Sequence, residues 1–210
     1  MLGLSNSLTS GVVLSSDFEP SDLGSTLLVW YKNATGITSL SGTDGNSDNR
    51  FQWADQSGGS RHAYQDTDAD KPEESNGGMD FVLSETDHML IAAGDGAIDF
   101  GYDSGTPANG TFTIIVAVNR RTHAAANQLL ASTGTEFLGF ASSDDKVKFR
   151  GSSASASALT FATSNLWTSG ADFILTVTKD GSGNLLCYKN SDFQAESGGG
   201  TSQNQGTDCD

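Results

Sequence analysis

Residues 172–190 read DFILTVTKDGSGNLLCYKN, and the fold turns on how they are read. Phe173, Leu175 and Val177 recur at every second position, the spacing that places side chains on one face of a strand. DGSGN (180–184) is turn chemistry, with glycines free to take the backbone angles a reversal needs. LLCYKN then reads as the returning strand of a hairpin. Upstream, GTFTIIVAVNR (110–120) shows the same period through Phe112, Ile114, Val116 and Val118. A second hairpin is predicted from EFLGFAS, the polar SDD at 143–145, and KVKFR. Further strands are expected at 26–32, 49–55, 78–84 and 127–133. No stretch holds apolar residues at i, i+3, i+4 and i+7 over three turns, so helices are not expected. The class is all-β, and short strands separated by turn-rich intervals favour a sandwich over a barrel.

Composition agrees. The chain has 210 residues, 36% of them hydrophobic, with 25 glycines and three prolines, enough for one good-sized domain with many turns. Residues 26–190 are expected to form the sandwich. Residues 1–25 read as an arm with Leu14 and Phe18 as its apolar anchors. Residues 191–210 read as a polar, glycine-rich and mobile tail. The formal charge of −15 disfavours nucleic acid and anionic membrane surfaces as partners, and it favours solubility. The opening MLGLSNSLTSGVVLSS has neither a basic n-region nor an apolar run of signal-peptide length, so synthesis in a cytoplasm is expected. Two cysteines, Cys187 and Cys209, make no disulfide framework, and Cys187 reads as a small buried side chain in a strand.

The most patterned loop is FQWADQSGGSRHAYQ (51–65). It holds a carboxylate, a hydroxyl and an imidazole within a few residues, which raises the question of a reactive site. The structural reading is stronger. Phe51 and Trp53 end a strand and face inward. Asp55 is placed to accept backbone N–H groups in an Asx-type turn with Ser57, and Gly58 and Gly59 supply unusual backbone angles. Trp53, Asp55, Ser57 and Gly58 are thus expected to be a structural corner.

Three segments taken together, LVWYKNATGIT, the W-x-D-x-S-G turn and GGMDFVLSETDHMLI, resemble the N-terminal half of concanavalin A-like, laminin-G-like jelly rolls. FTIIVAVNRR, LLAS and FILTVTKDGSGNLLCYKN fit that fold's later strands. The likeness spans roughly residues 26–190 and is similar to the version found in structural proteins of tailed bacteriophages, including those of marine hosts. It implies a concanavalin A-like jelly-roll β-sandwich, an architecture that hosts lectins, hydrolases and passive spacers alike. In one respect the chain departs from it. Such folds follow the YKN strand with further pairing strands, whereas here a glycine-rich segment follows. That predicts either a fragment, C-terminally incomplete, or a homo-oligomer in which a neighbouring copy completes the sheet.

Catalytic patterns are not found in the sequence. Jelly-roll glucanases carry alternating carboxylates on one strand, so that all enter one cleft. The nearest approach is Glu85 and Asp87, with no third partner, and Glu136 stands alone. There is no G-x-S-x-G elbow. His62, His88 and His123 lie on separate segments without metal-ligand spacing. Asp66, Asp68 and Asp70 alternate as calcium loops do, although Lys71 and Pro72 stand where such loops turn on glycine, and 43–49 is a second oxygen-rich loop. Calcium is the one cofactor with an argument. Sugar binding asks for exposed aromatic faces. Trp30 and Trp53 read as core, leaving Tyr64, Tyr102 and Trp167 as candidate glycan contacts.

The expectation is therefore a non-enzymatic virion structural protein, made in the host cytoplasm and displayed as a capsid decoration or appendage component. Its partners would be other virion proteins and copies of itself. The alternative is a lectin-like module contacting host surface glycans. A glycoside hydrolase or lyase comes third.

Overall fold

The structure, a computed structural model, describes residues 19–39, 51–75, 78–82, 87–91, 98–99, 111–119, 127–131, 137–140, 146–150, 159–161, 170–180, 184–194, 196–198 and 208–209. The described chain is mostly β, with antiparallel sheets and short 3-10 turns, and it divides into two compact units, residues 1–96 and 97–210.

The first unit opens with a 3-10 helix, Pro20–Thr26, whose proline at the start has no N–H to leave unpaired. Strands β1 (Ile37–Ser39), β2 (Phe51–Trp53) and β3 (Ala63–Gln65) follow. A second 3-10 turn, Asp68–Asp70, leads to the hairpin of β4 (Glu73–Ser75) and β5 (Gly78–Asp80), and β6 (Leu90–Ile91) completes the unit. The main sheet runs β1-β2-β3-β6, every pair antiparallel. Its buried side chains include Phe51, Ala63 and two polar residues, Asp55 and Gln65.

The sequence predicts a strand over 26–32, and here the structure differs. Residues 27–32 form no ladder. Their backbone groups bond instead to the end of β2 and the loop after it: Gln56 N–H donates to the Trp30 carbonyl at 2.8 Å and Trp53 Nε1 to the Lys32 carbonyl at 2.9 Å. Side chains and a loop thus take the place of a neighbouring strand, and backbone polar groups that need partners find them.

The second unit holds β7 (Ile98–Asp99), β8 (Phe112–Asn119), β9 (Asn127–Ala131), β10 (Phe137–Phe140), β11 (Val147–Arg150), β12 (Leu159–Phe161), β13 (Asp172–Lys179), β14 (Leu185–Lys189), β15 (Asp192–Gln194), β16 (Glu196–Gly198) and β17 (Asp208–Cys209). One sheet runs β15-β14-β13-β8, another β16-β12-β11-β10-β9, and β17 pairs β7. The hairpin at 172–190 is present, with Val177 opposite Cys187 and Lys179 opposite Leu185. Asp180 closes it: its N–H donates to the Asn184 carbonyl at 3.0 Å, and its carboxylate accepts from Asn184 N–H and Nδ2, both at 2.9 Å.

The alternation seen in the sequence becomes burial. Phe173, Leu175, Val177 and Cys187 of one sheet are at most 4% exposed, as are Leu138, Phe140, Val147, Phe149 and Phe161 of the other. Rings join the two sets: Phe112 meets Phe149 with centroids 5.8 Å apart, and Phe140 meets Phe173 edge-on at 6.3 Å. Burying side chains of this size stabilises by about 1.5–3 kcal/mol each.

Past Asn190 the structure departs from the expected polar tail, because β15, β16 and β17 are paired strands. Backbone pairing needs no apolar side chains, so the polar composition of 191–210 did not announce it. The expected arm falls largely on residues 1–18, outside the described residues.

Candidate functional site: the Asp55 corner

The loop between β2 and β3 is the best-defined polar constellation among the described residues. Phe51 anchors β2 in the core, and the chain then turns with Asp55 only 7% exposed. The Asp55 carboxylate accepts four hydrogen bonds. Oδ1 takes the backbone N–H of Trp30 at 2.9 Å and of Ser57 at 2.8 Å. Oδ2 takes the Ser57 hydroxyl at 2.7 Å and the Arg61 backbone N–H at 3.1 Å. A carboxylate offers about four lone-pair sites, so its acceptor capacity is filled from within the chain. Burial pushes the Asp55 pKa up, but the hydrogen bonds from Ser57, Trp30 and Arg61 outweigh it and hold the carboxyl below the ordinary carboxylate value.

The surrounding groups extend this network. The Asp55 backbone N–H donates to His62 Nδ1 at 3.0 Å, which assigns the acceptor role to that nitrogen. Arg61 Nη1 donates to the Leu28 carbonyl at 3.0 Å, and Tyr31 Oη donates to the Arg61 carbonyl at 2.6 Å. Gly58 carries φ +87°, the left-handed backbone for which glycine is suited. The carboxylate, hydroxyl and imidazole that drew attention in the sequence are therefore engaged with backbone. In this geometry the Ser57 hydroxyl donates a hydrogen bond to Asp55 while His62 accepts one from the Asp55 backbone N–H, so the three do not form a nucleophile–base–orienter relay.

The other candidates are scattered. Tyr64 lies half-buried on β3, between buried Ala63 and Gln65. Tyr102 and Trp167 lie outside the described residues. Trp30 and Trp53, expected in the core, are only half-buried. Trp53 packs on Tyr31 with centroids 5.5 Å apart, and Lys32 Nζ sits 5.2 Å from the centre of the Trp30 ring.

The three aspartates of the acidic loop are not brought together. Asp68 pairs with Lys71 Nζ, and the Asp70 carbonyl accepts the His88 N–H at 3.1 Å. A 3-10 turn spaces residues three to a turn, so alternate positions 68 and 70 diverge. Among the described residues no group of three or more His, Cys, Asp or Glu side chains is arranged to hold a metal ion. Glu85 and loop 43–49 lie outside the described residues.

Two buried polar residues escaped the sequence reading. Gln65, 3% exposed, accepts the N–H groups of Asp66 and Thr67 at 2.9 and 3.0 Å and donates to the His88 carbonyl at 3.2 Å. Lys179, 1% exposed at the end of β13, occupies a core position of the 172–190 pattern, and burial pulls its pKa down. The alternation itself marked both positions as inward-facing; their polarity masked the signal.

Compared with protein-family models, with curated proteins and with solved structures, the chain gives no match.

Proposed function

We propose that this chain is a non-enzymatic structural protein of a tailed-bacteriophage particle, a concanavalin A-like jelly-roll β-sandwich displayed as a capsid decoration or appendage component. The observation that carries the reading is the state of the Asp55 carboxylate. Its four acceptor sites are occupied by the chain's own donors, so the most site-like motif serves the scaffold. The antiparallel sheets and the resemblance of the W-x-D-x-S-G segment to phage jelly rolls support the same reading. On this account the protein is made in the host cytoplasm, resides in the virion, and has other virion proteins as partners.

The test is its copy number in purified particles from its source, by quantitative mass spectrometry. Hundreds of copies support a decoration, and a few to a few tens support a neck, tail or fibre position. Absence from the particle overturns the proposal.

A lectin-like module contacting host glycans is the second reading, favoured by the half-buried Trp30 and by the half-buried, packed pair Tyr31 and Trp53. Binding of a host polysaccharide that is lost in Trp30→Ala or Tyr64→Ala, with folding intact, would establish it.

A further inference from the structure

Strand β8 has an exposed flank of unusual composition. It pairs with β13 in unbroken register from Asn119 opposite Asp172 to Phe112 opposite Lys179, and among the described residues it is the edge of its sheet. The inward side chains of β13, Phe173, Leu175 and Val177, are at most 4% exposed. Their partners on β8, Val118, Val116 and Ile114, face the same way yet remain only half-buried. One strand's displacement toward the edge accounts for the difference: among the described residues no strand lies beside β8 to finish covering that row. Its outward face is also apolar at the centre, where Ile115 is 67% exposed beside Ala117.

Exposed edges are ordinarily blunted by charge, proline or a bulge. Phe112–Asn119 contains no charged residue and no proline, and its pairing with β13 shows no register shift. The strand is therefore uncharged, apolar along its inner row and at the centre of its outer face, and suited to accept a neighbouring strand.

We propose that β8 is the self-association edge of this protein, pairing antiparallel with β8 of a second copy about a two-fold axis. Charge favours this strand as the place where two copies meet. Each copy carries −15, so two copies repel over most of their surfaces, and a charge-free strand is where they can meet without opposing like charges. Symmetry points the same way, since an uncharged strand whose outer face is apolar at its centre complements itself about a two-fold axis. Two-fold pairing also consumes the β8 edge of each copy, so assembly through this strand ends at a dimer. The pleat allows only registers that oppose residues of the same face, so the axis passes through a residue. Through Ile115, it sets Ile114 opposite the partner's Val116. The half-buried inner rows of the two copies then cover each other. This inference concerns self-association alone and does not depend on the particle reading.

The experiment is sedimentation equilibrium of the full chain over a concentration series, wild type against Ile115→Lys, which would set two ammonium groups face to face across the seam. The expected result is a wild-type dimer and a variant with unchanged circular dichroism whose dimer is weaker by about tenfold or more. A monomeric wild type overturns the proposal, and so does a variant dimer of undiminished strength. Should Ile115→Lys fail to fold, amide hydrogen exchange on the wild type decides. Protection of β8 that rises with protein concentration supports the seam. Protection independent of concentration overturns it and assigns the cover to a segment of the same chain.

Discussion

Replacing Asp55 by alanine removes the acceptor of four hydrogen bonds at once, three of them from backbone N–H groups of Trp30, Ser57 and Arg61. A donor left without a partner costs about 1–3 kcal/mol, toward the lower end where water can reach it. These sites are part-buried, and removing the carboxylate also removes its own desolvation penalty. The expected destabilisation is about 3 kcal/mol, at the upper end of ordinary single substitutions. Asp55→Asn keeps one acceptor oxygen but turns an NH₂ toward donors, and about half that loss is expected.

Urea unfolding followed by tryptophan fluorescence is the assay, because the Trp30 N–H is itself bonded to Asp55. With a slope of about 1–2 kcal/mol per molar urea for a unit of this size, the alanine variant should lose about 2 M in midpoint. The pH dependence has a definite sign. Asp55 titrates below its ordinary value, so its contribution is fully present above a pH of about 4, the unfolded value. It is lost as pH falls through the lower folded-state value. The gap between wild type and Asp55→Asn should therefore be constant near neutrality and close only in acid. A midpoint change under about 0.5 M for the alanine variant, or a gap indifferent to acid, would refute the account of the corner.

Cys187 is fully buried, and burial pushes its thiol up to about 12. In a Cys209→Ser background, a thiol reagent should label it only after denaturant is added, even in mildly alkaline buffer, and labelling of the native protein at the rate of a free thiol would contradict the burial. Burial pulls Lys179 down, so wherever the group titrates in the folded state the unfolded chain holds more protons. Stability of the wild type relative to Lys179→Met should then rise as pH climbs through the folded-state value, and parallel pH profiles would count against it. At Gly58, φ is +87° with open space around an added Cβ, so Gly58→Ala should cost about 1–2 kcal/mol of backbone strain alone. At Gly36, φ is +71° and an added Cβ would lie 2.7 Å from Gln56 Nε2 and 2.8 Å from the Ala54 Cβ, so thermal melts should place Gly36→Ala well below Gly58→Ala. Equal melting temperatures would show that the loop yields freely.

How much could be read in advance depended on where each segment's partners lie. The 172–190 hairpin was legible because period, turn and return all sit within nineteen residues, and the matching alternation of 112–118 supplied the strand beside it. Residues 26–32 misled because an apolar run resembles a strand, whereas their partners are Asp55, Gln56, Ser57 and Arg61, about 25–33 positions away. No local pattern encodes that. The polar residues of 191–210 misled in the opposite direction, since β15 pairs through its backbone while Phe193 stays 58% exposed. Of the alternating aspartates of 66–70, Asp68 and Asp70 fall on a 3-10 turn, which separates alternate side chains in a way that sequence spacing alone does not reveal.

The corner also bears on where function can lie. To act as a base or to ligate a metal, Asp55 would have to surrender hydrogen bonds that join Trp30 to the β2–β3 loop and hold Ser57 and Arg61 within it, so any such chemistry would come with partial loss of the fold around it. A residue whose working state dismantles its own support is a poor catalyst and a good rivet. The opposite condition holds at β8, where Ile114, Val116 and Val118 gain cover when something arrives and lose nothing beforehand. A surface improved by contact is suited to attachment, and for that reason the proposed association edge lies at β8 and the scaffold at Asp55.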